Sequence, residues 1–149
     1  MGLPEPNQRA IVSSRKRGVG FRMTRILLVE DEFLVRELAF EDLNDAGFDV
    51  RVAGSGDEAI ALLEGDRAFD LLFTDIRMPG SVDGWELARR ARDCIPSLGV
   101  IYATGYSDRL KVLESNERFL QKPYRASEVL AAVRDLTGDA SAPPAGQPG

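Results

Sequence analysis

Apolar residues fall in short runs separated by amphipathic stretches, and the period changes from one segment to the next. Ile26-Leu27-Leu28-Val29 is an uninterrupted apolar run that ends in acids. Glu32 to Ala46 then takes helical spacing, with Val35, Leu38, Ala39, Leu43 and Ala46 on one stripe and Gly47 as the stop. Phe48 to Ala53 alternates as a strand does. Ser55, with Glu58 three residues on, forms a capping box for a helix that runs to about Leu63. Asp70 to Thr74 is a third strand followed by another acid. Gly84 to Cys94 is helical, with Leu87, Ala88, Ala91 and Cys94 on one face. Leu98 to Ala103 predicts a buried strand, Ser107 to Leu113 a short and weakly amphipathic helix, and Arg118 to Gln121 a short strand. Ala126 to Leu136 is the last helix, with Val129, Leu130, Ala132, Val133 and Leu136 inward and Gly138 closing it.

Five strands thus alternate with five helices through short connections. Strands that are apolar on both faces, separated by helices, predict a parallel sheet covered on both sides. Right-handed crossovers make the doubly wound α/β arrangement the natural one. This places one domain over residues 23–138. Residues 1–22, with prolines, glycines and arginines but no periodicity, are expected to be a flexible basic tail. Residues 139–149, rich in Pro, Ala and Gly, are expected to be a second loose tail.

Composition narrows the chemistry. With 44% hydrophobic and 29% charged residues, the chain is of an ordinary globular class. Its apolar runs are too short to span a bilayer, and no secretory pattern opens it. A single cysteine, Cys94, excludes an internal disulfide, so a cytoplasmic location without membrane contact is expected. The absence of histidine removes Ser-His-Asp catalysis and imidazole metal sites. Any resident metal must then be a hard, oxygen-bound ion such as magnesium. The net charge of −5 is uneven: residues 23–149 carry 14 basic and 23 acidic side chains, a net of −9, which argues against nucleic acid as a partner.

In a doubly wound sheet, sites form beyond the carboxyl ends of the strands. The chemically unusual residues stand there: Glu30-Asp31 after the first strand, Asp75 after the third, Ala103-Thr104-Gly105 after the fourth and Lys122-Pro123 after the fifth. Any one of these alone reads as a helix cap or a turn, but their joint placement on one sheet edge points to a site. Converging carboxylates repel unless a cation offsets them. With that charge offset, Asp75 can attack phosphorus as a carboxylate nucleophile, Lys122 can supply mobile positive charge, and the Thr104 hydroxyl can donate to a phosphate oxygen.

Val29-Glu30-Asp31-Glu32, Asp75-Ile76-Arg77-Met78-Pro79 with Asp83-Gly84, Ala103-Thr104 and Lys122-Pro123-Tyr124 together resemble the receiver domain of bacterial two-component response regulators, over residues 24 to 138. The resemblance implies the flavodoxin-like strand order 2-1-3-4-5. It implies that Asp75 is the phosphoacceptor, and that Mg²⁺ is held by Glu30, Asp31, Asp75 and the backbone carbonyl of Arg77. Thr104 and Phe119 would be the switch residues, Lys122 would contact the phosphoryl group, and the Lys122–Pro123 peptide would be cis. The implied partners are a histidine kinase or a phosphotransfer protein, and a downstream protein target on the face made by the fourth helix, fifth strand and fifth helix. The implied role is phosphoacceptor signalling rather than enzymatic turnover, and the short stretch after the last helix predicts output by protein contact.

Three departures stand out. The run Pro79-Gly80-Ser81-Val82-Asp83-Gly84 is one residue longer than the family pattern. Tyr102-Ala103-Thr104-Gly105-Tyr106 resembles the Phe-Ala-Thr-Gly variant of single-domain regulators, and Phe119 stands where tyrosine is frequent. Two other readings use the same residues. One is an aspartyl-phosphate phosphatase of haloacid-dehalogenase-like chemistry, which requires an acid two residues after the nucleophile where this chain has Arg77. The other is a phosphate sink or shuttle in a phosphorelay.

Overall fold

The computed structural model describes residues 23–105 and 113–138. The predicted tails, and the predicted helix from Ser107 apart from Leu113, lie outside the described residues. The elements are β1 (Arg25–Val29), α1 (Phe33–Asp45), β2 (Asp49–Ala53), α2 (Gly56–Gly65), β3 (Leu71–Asp75), α3 (Gly84–Cys94), β4 (Gly99–Thr104), β5 (Glu117–Gln121) and α4 (Ala126–Thr137). All strand pairs are parallel, and the order is β2-β1-β3-β4-β5. The doubly wound five-stranded sheet expected from the pattern is therefore the fold.

The pleat explains the uninterrupted apolar strands. Leu27, Val29, Leu72, Val100 and Tyr102 face one core, closed by Ala59 and Leu63 of α2 and Leu87, Ala88 and Ala91 of α3. Ile26, Leu28, Phe73, Ile101 and Ala103 face the other, closed by Ala39 and Leu43 of α1 and Val129, Ala132 and Val133 of α4. With both faces buried, neither parity along a strand is free to be polar. Among the described residues, no helix is long and apolar enough to cross a membrane.

One helical face differs from the expected stripe. Ala39 and Leu43 are buried against the sheet with Phe40 and Ala46 packed beside them, whereas Leu38 is 64% exposed and pairs along the helix with Leu34 at 72%. The two stripes lie about 100° apart, and the one that carries Ala39 and Leu43 is buried. The expected cap of α2 is present: Ser55 Oγ accepts from Glu58 N at 3.1 Å, and the Glu58 carboxylate reaches back to Gly54 N.

The longer loop between β3 and α3 is absorbed locally. Gly80 turns with φ of 102°, Val82 enters the core, and Asp83 caps α3 by accepting from Glu86 N at 2.9 Å. A Cβ on Gly56 would lie 2.6 Å from the Val82 carbonyl oxygen, so the start of α2 needs a bare backbone to receive this loop. Gly84 is tighter still. Its N–H donates to Ile76 O at 2.8 Å, and a Cβ there would sit 2.3 Å from the Asp75 carbonyl oxygen. The first turn of α3 is thereby pressed onto the end of β3. Gly84→Ala is expected to cost about 1–3 kcal/mol in urea denaturation, because backbone must move to admit the methyl. Gly65→Ala, with open space around it, should be neutral or stabilising by up to about 1 kcal/mol.

Candidate functional site

The carboxyl ends of β1, β3, β4 and β5 converge on one cleft. Asp31, Glu32, Asp75, Arg77, Thr104, Gly105 and Lys122 line it. Glu30, Asp31 and Asp75 each offer a carboxylate oxygen within 4.8 Å of the others. Lys122, at the end of β5, reaches across to place Nζ 2.7 Å from Glu30 Oε1 and 3.1 Å from Asp75 Oδ2. The second Glu30 oxygen accepts from Glu32 N at 3.0 Å, and the Glu30 carbonyl accepts from Arg36 Nη1 at 2.8 Å. Glu30 thus has both carboxylate oxygens engaged and acts as a fixed anchor for Lys122. Asp75 meets the ammonium through Oδ2 and borders the cleft.

The electrostatics follow from burial. Asp75 is pushed above its ordinary value first by burial and also by the charge of Asp31, against the opposing pull of Lys122. Burial likewise raises Glu30 against its hydrogen bond from Lys122. Burial alone would lower Lys122, but its bonds to Glu30 and Asp75 outweigh that and hold it above its usual value. One ammonium among several carboxylates leaves the cleft short of positive charge, and every acidic donor is a hard oxygen. The residues therefore fit a magnesium-like ion, with Glu30, Asp31 and Asp75 grouped to hold it, although the Glu30 oxygens already accept from Lys122 and from Glu32 N.

Thr104 and Phe119 occupy different levels. Thr104 is buried at the end of β4, where its carbonyl accepts from Lys122 N at 2.7 Å. Phe119 does not line the cleft. It stands opposite Tyr102 in the β4–β5 register, with ring centroids 5.6 Å apart. The Lys122–Pro123 peptide is cis, and Tyr124 beyond it packs on Phe73 with centroids 5.5 Å apart. Burial and then the nearby charge of Glu30 push the Tyr124 phenol up to about 12.

Sequence reasoning passed over Glu32 at the rim and the buried carboxylate of Glu117. Glu117 accepts from Arg92 Nη1 at 2.7 Å, from Tyr102 Oη at 3.0 Å and from Glu114 N at 2.9 Å. The available signals were weak: an acid opening a strand, and a tyrosine in an otherwise aliphatic one.

Comparison with known proteins agrees with this fold. The family described as "Response regulator receiver domain" matches residues 26–134. The chain belongs to that family. The "Response regulator MprA" of Mycobacterium tuberculosis is 35% identical over 116 residues, covering 75% of this chain and 50% of that protein. The chain therefore spans about half the length of the curated relatives it matches. Among solved structures, a response regulator receiver protein from Sinorhizobium medicae is 32% identical with a TM-score of 0.72, covering 78% of this chain and 96% of that one. The receiver domain of the hybrid histidine kinase CckA is 34% identical with a TM-score of 0.65, covering 75% and 98%.

A raised carboxyl makes a pH-dependent prediction. Below the ordinary value of 3.8, Asp75 is protonated in folded and unfolded chains alike and costs nothing. As pH rises through its higher folded value, ionising it inside the cleft costs stability. Without divalent cation, Asp75→Asn should therefore melt above wild type near neutral pH, and the gap should shrink on acidification. Thermal melts across pH would contradict this if the gap widened in acid.

Proposed function

We propose that Asp75 accepts a phosphoryl group from a phosphohistidine on a histidine kinase or phosphotransfer protein, and that the phosphorylated domain signals through protein contact. The observation that carries this reading is the bridge from Lys122 to Glu30 and Asp75. The Asp75 carboxylate and the Lys122 ammonium stand side by side at an open cleft while Glu30 is engaged at both oxygens, which supports Asp75 as the nucleophile. An Asp75 carboxylate oxygen attacks phosphorus in line as the P–N bond to histidine breaks, and the electron pair leaves with the imidazole. Lys122 keeps its hold on Glu30 and follows the new negative charge from Asp75 Oδ2 to a phosphoryl oxygen. The Thr104 hydroxyl donates to another phosphoryl oxygen. A magnesium ion held by Asp31, Asp75 and the Arg77 carbonyl would supply further positive charge to the transferred group. The product is an aspartyl phosphate rather than a released substrate, so the domain turns over no phosphate ester of its own.

The donor's route is supported by the surface next to the cleft. Phe33, Leu34 and Leu38 are exposed on α1 immediately after the rim residues Asp31 and Glu32. Further along the helix, Glu41, Asp42 and Asp45 are exposed acids. An amphipathic donor helix with apolar residues and basic flanks fits this surface.

Incubation with a small phosphodonor and magnesium, followed by intact-mass measurement, tests the reading. Wild type should gain one phosphoryl group and Asp75→Asn none, since the amide keeps the shape without the nucleophile. Unreduced uptake by Asp75→Asn would place the acceptor elsewhere. Leu34→Ser with Leu38→Ser should slow transfer from a phosphohistidine donor protein by about tenfold, the scale of one lost hot spot, and leave uptake from the small donor unchanged.

A further inference from the structure

The end of β5 away from Lys122 carries a second buried charge. Glu117 is fully buried, and its carboxylate collects Arg92 Nη1 of α3 at 2.7 Å, Tyr102 Oη of β4 at 3.0 Å and Glu114 N at 2.9 Å. Arg92 also donates to Asn116 Oδ1 at 3.1 Å, and Asn116 donates to Leu98 O at 3.1 Å. One carboxylate therefore ties α3, β4 and the approach to β5 together. A buried acid held by several donors at once is rigid, since each donor fixes the direction of a carboxylate oxygen.

The ring attached to that hydroxyl sits at a junction. Tyr102 is 1% exposed and lies between Trp85, at a centroid distance of 4.5 Å, and Phe119, at 5.6 Å. Trp85 also meets Phe119 edge-on at 5.9 Å. Trp85 belongs to the first turn of α3, which Gly84 presses onto the Asp75 carbonyl. Tyr102 precedes Thr104 by two residues on the same strand. The trio therefore touches both sides of the cleft: Asp75 through Gly84 and Trp85, and Thr104 along β4. Within the trio the contacts are between close-packed rings, which transmit displacement rather than absorb it.

We infer that Tyr102 is a positioning residue that couples Asp75 and Thr104 to Phe119: its hydroxyl is pinned on Glu117 while its ring joins Trp85 to Phe119. This rests on Asp75 being the phosphoacceptor and adds a specific path from the acceptor to the sheet edge. Loss of the Tyr102 hydroxyl leaves Glu117 with Arg92 and the Glu114 N–H, so the buried charge stays paired and the fold persists. The ring of Tyr102→Phe, no longer pinned, then yields to movement of its neighbours instead of passing it on.

Trp85 is the chain's one tryptophan, so its emission reports the junction without labelling. On treatment with a small phosphodonor and magnesium, wild-type Trp85 emission should change at the rate at which intact mass records phosphoryl uptake. Tyr102→Phe should take up phosphate within about twofold of the wild-type rate yet lose at least half of the emission change. Glu117→Gln, which keeps the shape and removes the charge that pins the hydroxyl, should behave alike, and covers the case in which either variant is unstable. A Tyr102→Phe protein with normal uptake and a full emission change overturns the coupling, as does a wild type that is phosphorylated with silent Trp85. Absence of uptake in wild type sinks the acceptor reading and the coupling together, which separates that failure from one of the coupling alone.

Discussion

The contact between Lys122 and the carboxylates of Glu30 and Asp75 constrains the rest of the domain. Two acids are buried at the ends of neighbouring strands, at a depth where an unpaired charge is costly. The cation that offsets them comes from β5, two strands from β3 and three from β1, and from 92 residues beyond Glu30 in sequence. Only a side chain with a long flexible stem spans that gap and still ends in a mobile charge. The position of β5 at the sheet edge, and its tie to β4 through Lys122 N and Thr104 O, are what bring that stem into range. Strand order and site electrostatics are thus one problem with one solution.

β5 needs such anchoring because it is weakly packed. Apart from Glu117 it is half-buried or exposed, unlike the fully buried β3 and β4. Its two ends are held by ion pairs instead: Glu117 to Arg92 at one end, Lys122 to Glu30 and Asp75 at the other. The same solution recurs at the opposite edge, where Arg25 joins Asp49 at 3.1 Å and Asp66 at 2.9 Å. Apolar burial specifies the centre of the sheet, and charge pairing specifies its margins. An edge held by charge is also an edge that a change of charge can loosen or shift, and a phosphoryl group on Asp75, as proposed, would add charge next to Lys122.

The centre was legible in the sequence. Continuous apolar runs separated by helical periods give a parallel sheet, and acids, a hydroxyl and a lysine at successive strand ends give a cleft, because both depend on local order along the chain. Periodicity left the rotation of α1 open. It detects an apolar stripe in Glu32 to Ala46 but cannot choose between Leu38 and the face of Ala39, Leu43 and Ala46, a choice made by how the helix seats on the strands. Partners distant in sequence were equally hidden. Nothing near Glu117 announces Arg92 or Tyr102, since that triad exists only once α3, β4 and β5 are side by side. Phe119 was singled out by the family resemblance, but its packing against Trp85 and Tyr102 was not legible.

The longer loop after β3 shows which parts of the site tolerate variation. Its extra residue is taken up by the turn at Gly80 and by Val82, which fills a niche over Gly56. By Gly84 the chain is back on Ile76 O, and the carboxylate of Asp75 keeps its contact with Lys122. The floor of the cleft, built on strand ends and buried charge, is indifferent to the insertion. The rim is not: Arg77 is exposed on the lengthened loop, facing a cleft whose other wall bears Asp31 and Glu32 and continues into the apolar turn of α1. A donor protein must cross that rim to reach Asp75. If Asp75 is the acceptor as proposed, the side chains of Arg77 and Glu32 on that rim are placed to meet the donor, while Asp75 and Lys122 lie beneath it.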